Sequence, residues 1–127
     1  MNRKKVSSTK LDRIFSEYIR KRDSDSDGYI TCATCGKVVH WTEEDAGHFI
    51  SRAKKATKYD ERNVHAQCRG CNRFQNGRQF EMSLYVAAKY GDDMPHLLLE
   101  LSRETVKVNQ VWIDELTLHY QSKLDAL

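Results

Sequence analysis

Four cysteines stand in two CxxC pairs, "CATC" at Cys32 and Cys35 and "CRGC" at Cys68 and Cys71. Thiols two residues apart can form a redox couple, a disulfide or half of a metal site. A thioredoxin-like couple opens a helix within a βαβ pattern, and this chain shows no such alternation. Two pairs together supply the four thiolates that a tetrahedral structural zinc needs. The 32 residues between Cys35 and Cys68 exceed the spacing of a simple zinc ribbon, so something must be folded between the halves. That insert contains "EEDAGHFISRAKKATKYDERNVHAQC", with Asp45, His48, Asn63 and His65 as its candidate polar groups. A zinc with four cysteine ligands is closed and cannot itself catalyse. An enzyme would therefore need a second metal on harder ligands. Asp45 and Asn72, the latter directly after the fourth cysteine, are oxygen donors suited to magnesium or manganese. His48, in an extended segment just before Ser51 and Arg52, could act as a general base.

These residues need a scaffold, and the chain is short for one. It has 127 residues, 39% of them hydrophobic, and a mean hydropathy of −0.73. The apolar core must be thin, and a structural metal would compensate. No run approaches the roughly 18 apolar residues of a membrane span, and "MNRKKVSSTK" lacks the hydrophobic region of a signal peptide. The expectation is a cytoplasmic protein with no membrane partner, where thiols stay reduced and disulfides are rare. Net charge is only +3, but it is unevenly spread. Residues 31–80 carry nine Lys/Arg against five acids, whereas residues 81–127 carry four against eight. A basic cysteine-bearing part fits a polyanion such as nucleic acid, although an ordinary solvated surface accounts for the same charge.

The periodicity supplies the elements. Leu11, Ile14, Phe15, Tyr18 and Ile19 fall at helical spacing and predict an amphipathic helix. It ends before "DSDSDGY", a turn that copies half of a calcium loop but lacks the Glu at its twelfth position. Short extended segments follow at "YIT", "KVVHW" and "GHFIS". From about Arg69 the chain reads as helix up to Gly91, with an interruption signalled at Asn76-Gly77. "MPHLLLELSRE" predicts a short helix with Pro95 in its first turn. Val108, Trp112, Leu116, Tyr120 and Leu124 recur at i, i+4 steps in a last helix, as packing or as a dimer face. The fold class expected is α+β, in three parts: a basic segment and helix over 1–27, a zinc-stabilised core over 28–91 and a helical extension over 92–127.

The order "CATCG", "GHFISR", "RNVHAQCRGCN" resembles the HNH nuclease finger, also called the ββα-metal or His-Me finger, held by a four-cysteine zinc. More closely, "DAGHF", "YDERNVHAQCRGCN" and "WIDELTLHYQSKL" resemble the NinG/Rap family of lambdoid phage recombination endonucleases, over about residues 12–126. Longer members carry a further N-terminal Cys-containing extension, and this chain begins after it. The resemblance implies metal-dependent cleavage of branched DNA, such as Holliday junctions and D-loop-like intermediates, in a bacterial host cell. It implies phage or host recombination proteins as partners. Carried over, His48 is the histidine that activates water and Asn63 the asparagine that orients its imidazole. Asn72 is a metal ligand, as in the finger and in the junction-resolving endonuclease of the T-even type. One position departs: where most fingers have Asp or His before the base, this chain has Gly47. Asp45 is the nearest substitute, and His65 is another candidate, although a histidine there can equally be packed beside the zinc.

On that reading Arg52, Lys54, Lys55, Lys58, Arg62, Arg69, Arg73 and Arg78 position the DNA backbone without reading sequence. A two-fold junction cut symmetrically needs two active sites, which argues for a homodimer. Two other classes remain open: a non-catalytic zinc module that binds branched DNA or a recombination protein, and a cysteine redox protein.

Overall fold

The structure is a computed structural model that describes residues 6–127. The basic start "MNRKK" of the first segment lies outside the described residues. Helix α1, Thr9–Arg22, buries Leu11, Ile14, Phe15, Tyr18 and Ile19, the stripe that its periodicity predicts. Its last turn carries Arg20, Lys21 and Arg22, which suit the negative end of the helix dipole. The "DSDSDG" segment closes as an ordinary turn, with Asp25 Oδ1 accepting from the backbone N–H groups of Asp27 and Tyr29.

Two small antiparallel sheets follow. Strands β1, Tyr29–Thr31, and β2, Val38–His40, form a hairpin around the first cysteine pair. Strand β3, Glu44–His48, pairs with β4, Val64–Cys68, in the register Asp45↔Gln67, Gly47↔His65 and His48↔Val64. Between them run a short helix α2, Lys55–Lys58, and a single 3₁₀ turn, Glu61–Asn63. Two expectations shift here. The strand expected at "GHFIS" ends at His48, and β4 has no alternating pattern to announce it because all five of its residues are buried. Polar His65 and Gln67 sit inside, so the segment does not look like a core strand.

The helix expected from Arg69 is broken. Gly70–Phe74 makes a π-helical turn, a loop crosses residues 75–78, and α3 is confined to Gln79–Tyr90. Asn76, Gly77 and Arg78 all have positive φ, which no continuous helix permits. Helix α4, Met94–Leu101, has Pro95 in its first turn. Helix α5, Gln110–Asp125, is capped by Asn109, whose side chain accepts from the Trp112 N–H.

Two apolar clusters hold these pieces. The first joins α1 to Tyr59, Val64, Ile113 and Tyr120, with Trp112, Leu116 and Leu124 packed against it. The α5 stripe therefore folds back on α1; Val108 precedes the helix and stays exposed. The second cluster unites Met82, Val86 and Leu98 beneath Phe49, Ile50, Tyr85 and Tyr90. The β3–β4 ladder lies between them, gripped from both ends of the sequence.

Candidate active site and metal centre

The four thiols meet. Cys32, Cys35, Cys68 and Cys71 place their Sγ atoms within 4.8 Å of one another, and Cys35 Sγ lies 3.7 Å from Cys68 Sγ. With Zn–S bonds of about 2.3 Å, a tetrahedral ion separates its sulfurs by slightly under 4 Å, so the set fits one zinc. The Cys71 N–H points at Cys68 Sγ, 3.4 Å away, and the Thr34 hydroxyl lies 3.4 Å from Cys32 Sγ. Burial works to raise the Cys32 thiol, but the backbone N–H of Cys68, the Thr34 hydroxyl and the N–H groups of Thr34 and Cys35 bring it down to about 6, while burial and the neighbouring thiols push Cys68 up to about 12. Two halves 33 positions apart in sequence are thereby tied at the first hairpin and the end of β4.

Beside this knot a cleft of about 440 Å³ opens between α1 and the β3–β4 unit. Its walls include Glu44, Asp45 and His48 of β3, Asn72 and Arg73 of the π-helical turn, and Asp12 and Arg20 of α1. His48 ends β3 against Phe15, with ring centroids 6.5 Å apart. Its Nε2 is 2.9 Å from the Lys58 carbonyl, which can only accept, so Nε2 carries the proton and Nδ1 keeps its lone pair. Burial, reinforced by the Arg52 and Lys58 charges, pushes the imidazole down to about 4 against the pull of that hydrogen bond. The imidazole is therefore neutral at neutral pH with Nδ1 free to accept a proton, and a value this far below 7 makes it a weaker base than one poised near 7.

Asn63 does not touch that ring. It is fully buried, and its side chain bonds the Ile50 N–H at 2.7 Å and the Ile50 and Thr57 carbonyls at 3.1 Å. The expectation that it orients His48 directly is corrected: it staples the loop whose next residue, Lys58, holds the histidine. The sequence could show a buried-type Asn in a turn, but not which backbone groups it would reach.

Asp45 and Asn72 are brought together, with Asn72 Nδ2 donating to Asp45 Oδ2 at 3.0 Å. Arg73 also grips both Asp45 oxygens at 2.9 Å. Burial works to raise the Asp45 carboxyl, but Arg73 and Asn72 hold it below the usual range. Among the described residues, the four cysteines are the cluster of three or more His, Cys, Asp or Glu close enough to share a metal. A second, hard cation would thus rest on one carboxylate, already paired with Arg73, and the Asn72 amide oxygen.

Gly47 has a local explanation. A Cβ there would lie 2.1 Å from Oε1 of Gln67, its diagonal neighbour on β4. Gln67 is fully buried, with Nε2 bonded to the Gly77 carbonyl at 2.7 Å and Oε1 without a partner. The side chain that the usual finger carries before its base would force Gln67 to shift. His65 does not substitute for it. Its Nε2 lies 3.0 Å from the Arg62 carbonyl, its Nδ1 3.2 Å from Arg22, and its ring packs on Tyr85 and Tyr90. It is a satisfied, packed histidine.

The cationic residues divide. Arg52, Lys54, Lys55 and Arg69 are exposed, and Arg73 is exposed beside Asp45. Lys58 is corrected: it is buried, its Nζ 3.2 Å from Asp12, so it structures the cleft instead of meeting solvent. Arg62 is committed to Asp60, with both oxygens engaged. Arg78 is half-buried, at φ 43°. Two contributors carry no signal in the local sequence. Asp12, Ser16 and Arg20 bring α1 into the cleft at i, i+4, i+8, a polar stripe opposite the apolar one. Glu44 is buried with neither oxygen bonded, and burial first, then the nearby Cys32 and Asp45, raises it to about 7.

A family model described as "NinG: Bacteriophage Lambda NinG protein" matches residues 2–127. Protein ninG of Escherichia phage 933W is 38% identical over 77 residues, which are 60% of this chain and 36% of that protein. Protein ninG of Salmonella phage P22 is 38% identical over 75 residues, 58% of this chain and 34% of that protein. Protein ninG of Escherichia phage lambda is 30% identical over 77 residues, 60% and 35% of the two chains. The matched stretch thus spans about a third of these relatives' length. No solved structure matches.

Proposed function

The chain belongs to the NinG family of bacteriophage proteins, and from that premise and the cleft we propose a metal-dependent, structure-selective DNA endonuclease of the HNH type. Its substrates are branched recombination intermediates such as Holliday junctions and D-loop-like DNA. The observation that carries the reading is His48: a neutral imidazole with its Nε2–H fixed on the Lys58 carbonyl, in a cleft shared with Asn72, Asp45 and five cationic side chains. The β3–β4 ladder followed by a helical turn, with four thiols close together, supports this reading.

In this reaction His48 Nδ1 takes a proton from water as its oxygen attacks phosphorus. The bond from phosphorus to the 3′-oxygen breaks, and that oxygen takes a proton from solvent, leaving a 5′-phosphate and a 3′-hydroxyl. Asn72, with Asp45 behind it, would hold a magnesium or manganese ion. Such an ion, when bound, supplies positive charge to the phosphate and the leaving oxygen. Arg52, Arg69, Lys54 and Lys55 bring the DNA backbone to the cleft. Zinc on the four cysteines fixes the scaffold and takes no part in the chemistry. A homodimer would present two such sites to a junction, alongside phage or host recombination partners.

One observation favours a second reading, a non-catalytic zinc module for branched DNA: Arg73 already occupies both Asp45 oxygens. The deciding experiment compares a four-way junction with linear duplex in Mg²⁺, Mn²⁺ or EDTA. The nuclease cleaves the junction only with added cation, and His48→Ala loses about 10²–10⁴-fold of the rate while keeping zinc and junction affinity. Undiminished cleavage by His48→Ala, free of contaminating nuclease, would leave the binding module.

A further inference from the structure

The segment that links the cleft to α3 carries two aromatic rings that the described chain leaves uncovered. Phe74, ending the π-helical turn, is 80% exposed, and Phe80, in the first turn of α3, is 72% exposed. Leu84, one turn further along α3, is 55% exposed, while Met82 and Val86 are fully buried. One exposed apolar side chain is ordinary, so the case rests on where these lie.

Between the two rings, residues 76–78 run through three consecutive positive φ values, 52°, 77° and 43°. Asn and Arg adopt that conformation at a cost, and it persists when surrounding contacts impose it. Here Gln67 binds the Gly77 carbonyl at 2.7 Å, and Gln79 reaches the His48 carbonyl at 3.5 Å. Asn76, Gly77 and Gln79 thereby wall a hollow shared with His48, Arg52 and Asn72. Phe74 and Phe80 bracket that wall in sequence. Their neighbourhood in the sequence is net basic: residues 69–81 contain Arg69, Arg73 and Arg78 against Glu81, with Arg73 paired to Asp45. A partner that matches both features is a polyanion with flat apolar faces, which describes a nucleic acid with bases out of the stack. A DNA branch point offers such bases, and aromatic side chains stack on them or wedge between them.

We propose that Phe74 and Phe80 form the branch-recognition element, stacking on bases unstacked at a DNA branch point and so seating the adjoining phosphodiester at His48. The inference rests on the DNA endonuclease reading and adds the source of its structural selectivity. Cations alone would grip every duplex alike. The rings supply an interaction that continuous duplex, with its bases stacked, cannot return.

The test places 2-aminopurine at the branch of a four-way junction and follows binding of the full chain without added divalent cation, with linear duplex of equal length alongside. Wild type raises the fluorescence of the branch base and prefers the junction. Phe74→Ala with Phe80→Ala loses the fluorescence change and weakens junction binding on the order of 10-fold or more. Linear duplex affinity, zinc content and melting temperature stay at wild-type values, and Phe74→Trp keeps the junction preference. An unaltered junction preference in the double variant overturns the proposal while leaving the endonuclease reading intact. A shift in oligomeric state with DNA binding unchanged overturns it in favour of a contact between copies. A wild-type chain that binds neither DNA removes the endonuclease reading and this proposal together.

Discussion

His48 and Asn63 look equivalent as polar residues in the insert, yet the structure gives them different work. His48 faces the cleft, whereas Asn63 holds three backbone groups of the 50–57 loop. Asn63→Ala should orphan those groups at roughly 1–3 kcal/mol each, lowering the melting temperature as well as cleavage. Measured below that melting point, it should cost less cleavage than His48→Ala, and the two losses should not add, because both act through one imidazole. A fully stable Asn63→Ala would contradict the staple. Gly47 is a second residue-scale case. Gly47→Asp, which restores the usual finger sequence, should destabilise by about 1–3 kcal/mol through overpacking on Gln67. Adding Gln67→Ala should recover part of that loss, and calorimetry finding the two changes additive would dismiss the clash as the reason for Gly47.

At the scale of elements, the four-cysteine cluster, which fits one zinc, joins the end of β4 to the first hairpin. Three-residue strands and a π-helical turn have little intrinsic stability, and β4 buries two polar side chains. Structural zinc contributes on the order of 10–16 kcal/mol in small modules, against a net domain stability of about 5–15 kcal/mol. Cys68→Ser should therefore unfold the two sheets and release the metal, read by circular dichroism and metal analysis on the same sample. Well-folded wild-type protein without zinc would count against this. Helix α1 was legible in full, because its five apolar residues recur every three to four positions and all are buried. The break at 75–78 was legible only as the Asn76-Gly77 signal, since the pull of Gln67 on the Gly77 carbonyl comes from a distant strand.

For the whole molecule, net charge says less than which cations are free. Lys54 and Lys55 are exposed, whereas Lys58, three positions on, is buried against Asp12. Reversing Lys54 and Lys55 should weaken binding to all DNAs alike. The slope of affinity against salt should fall by about one unit for each lysine–phosphate pairing removed. Lys58→Ala should instead remove one of Asp12's partners while Tyr59 and Ser8 stay bonded to it, at about 1 kcal/mol of stability, with the salt slope unchanged. Equal salt slopes for wild type and the Lys54/Lys55 variant would remove these lysines from the DNA face. Sequence alone determined the two cysteine pairs, the helical stripes and the polar residues between them, because these depend on residue type and short-range spacing. Tertiary structure decided the rest: Asn63 bonds a loop instead of a ring, Lys58 is interior, and α1 lends Asp12 and Arg20 to the cleft. Each of those outcomes depends on groups many residues apart meeting at hydrogen-bond or van der Waals distance, and spacing along a chain does not encode that distance.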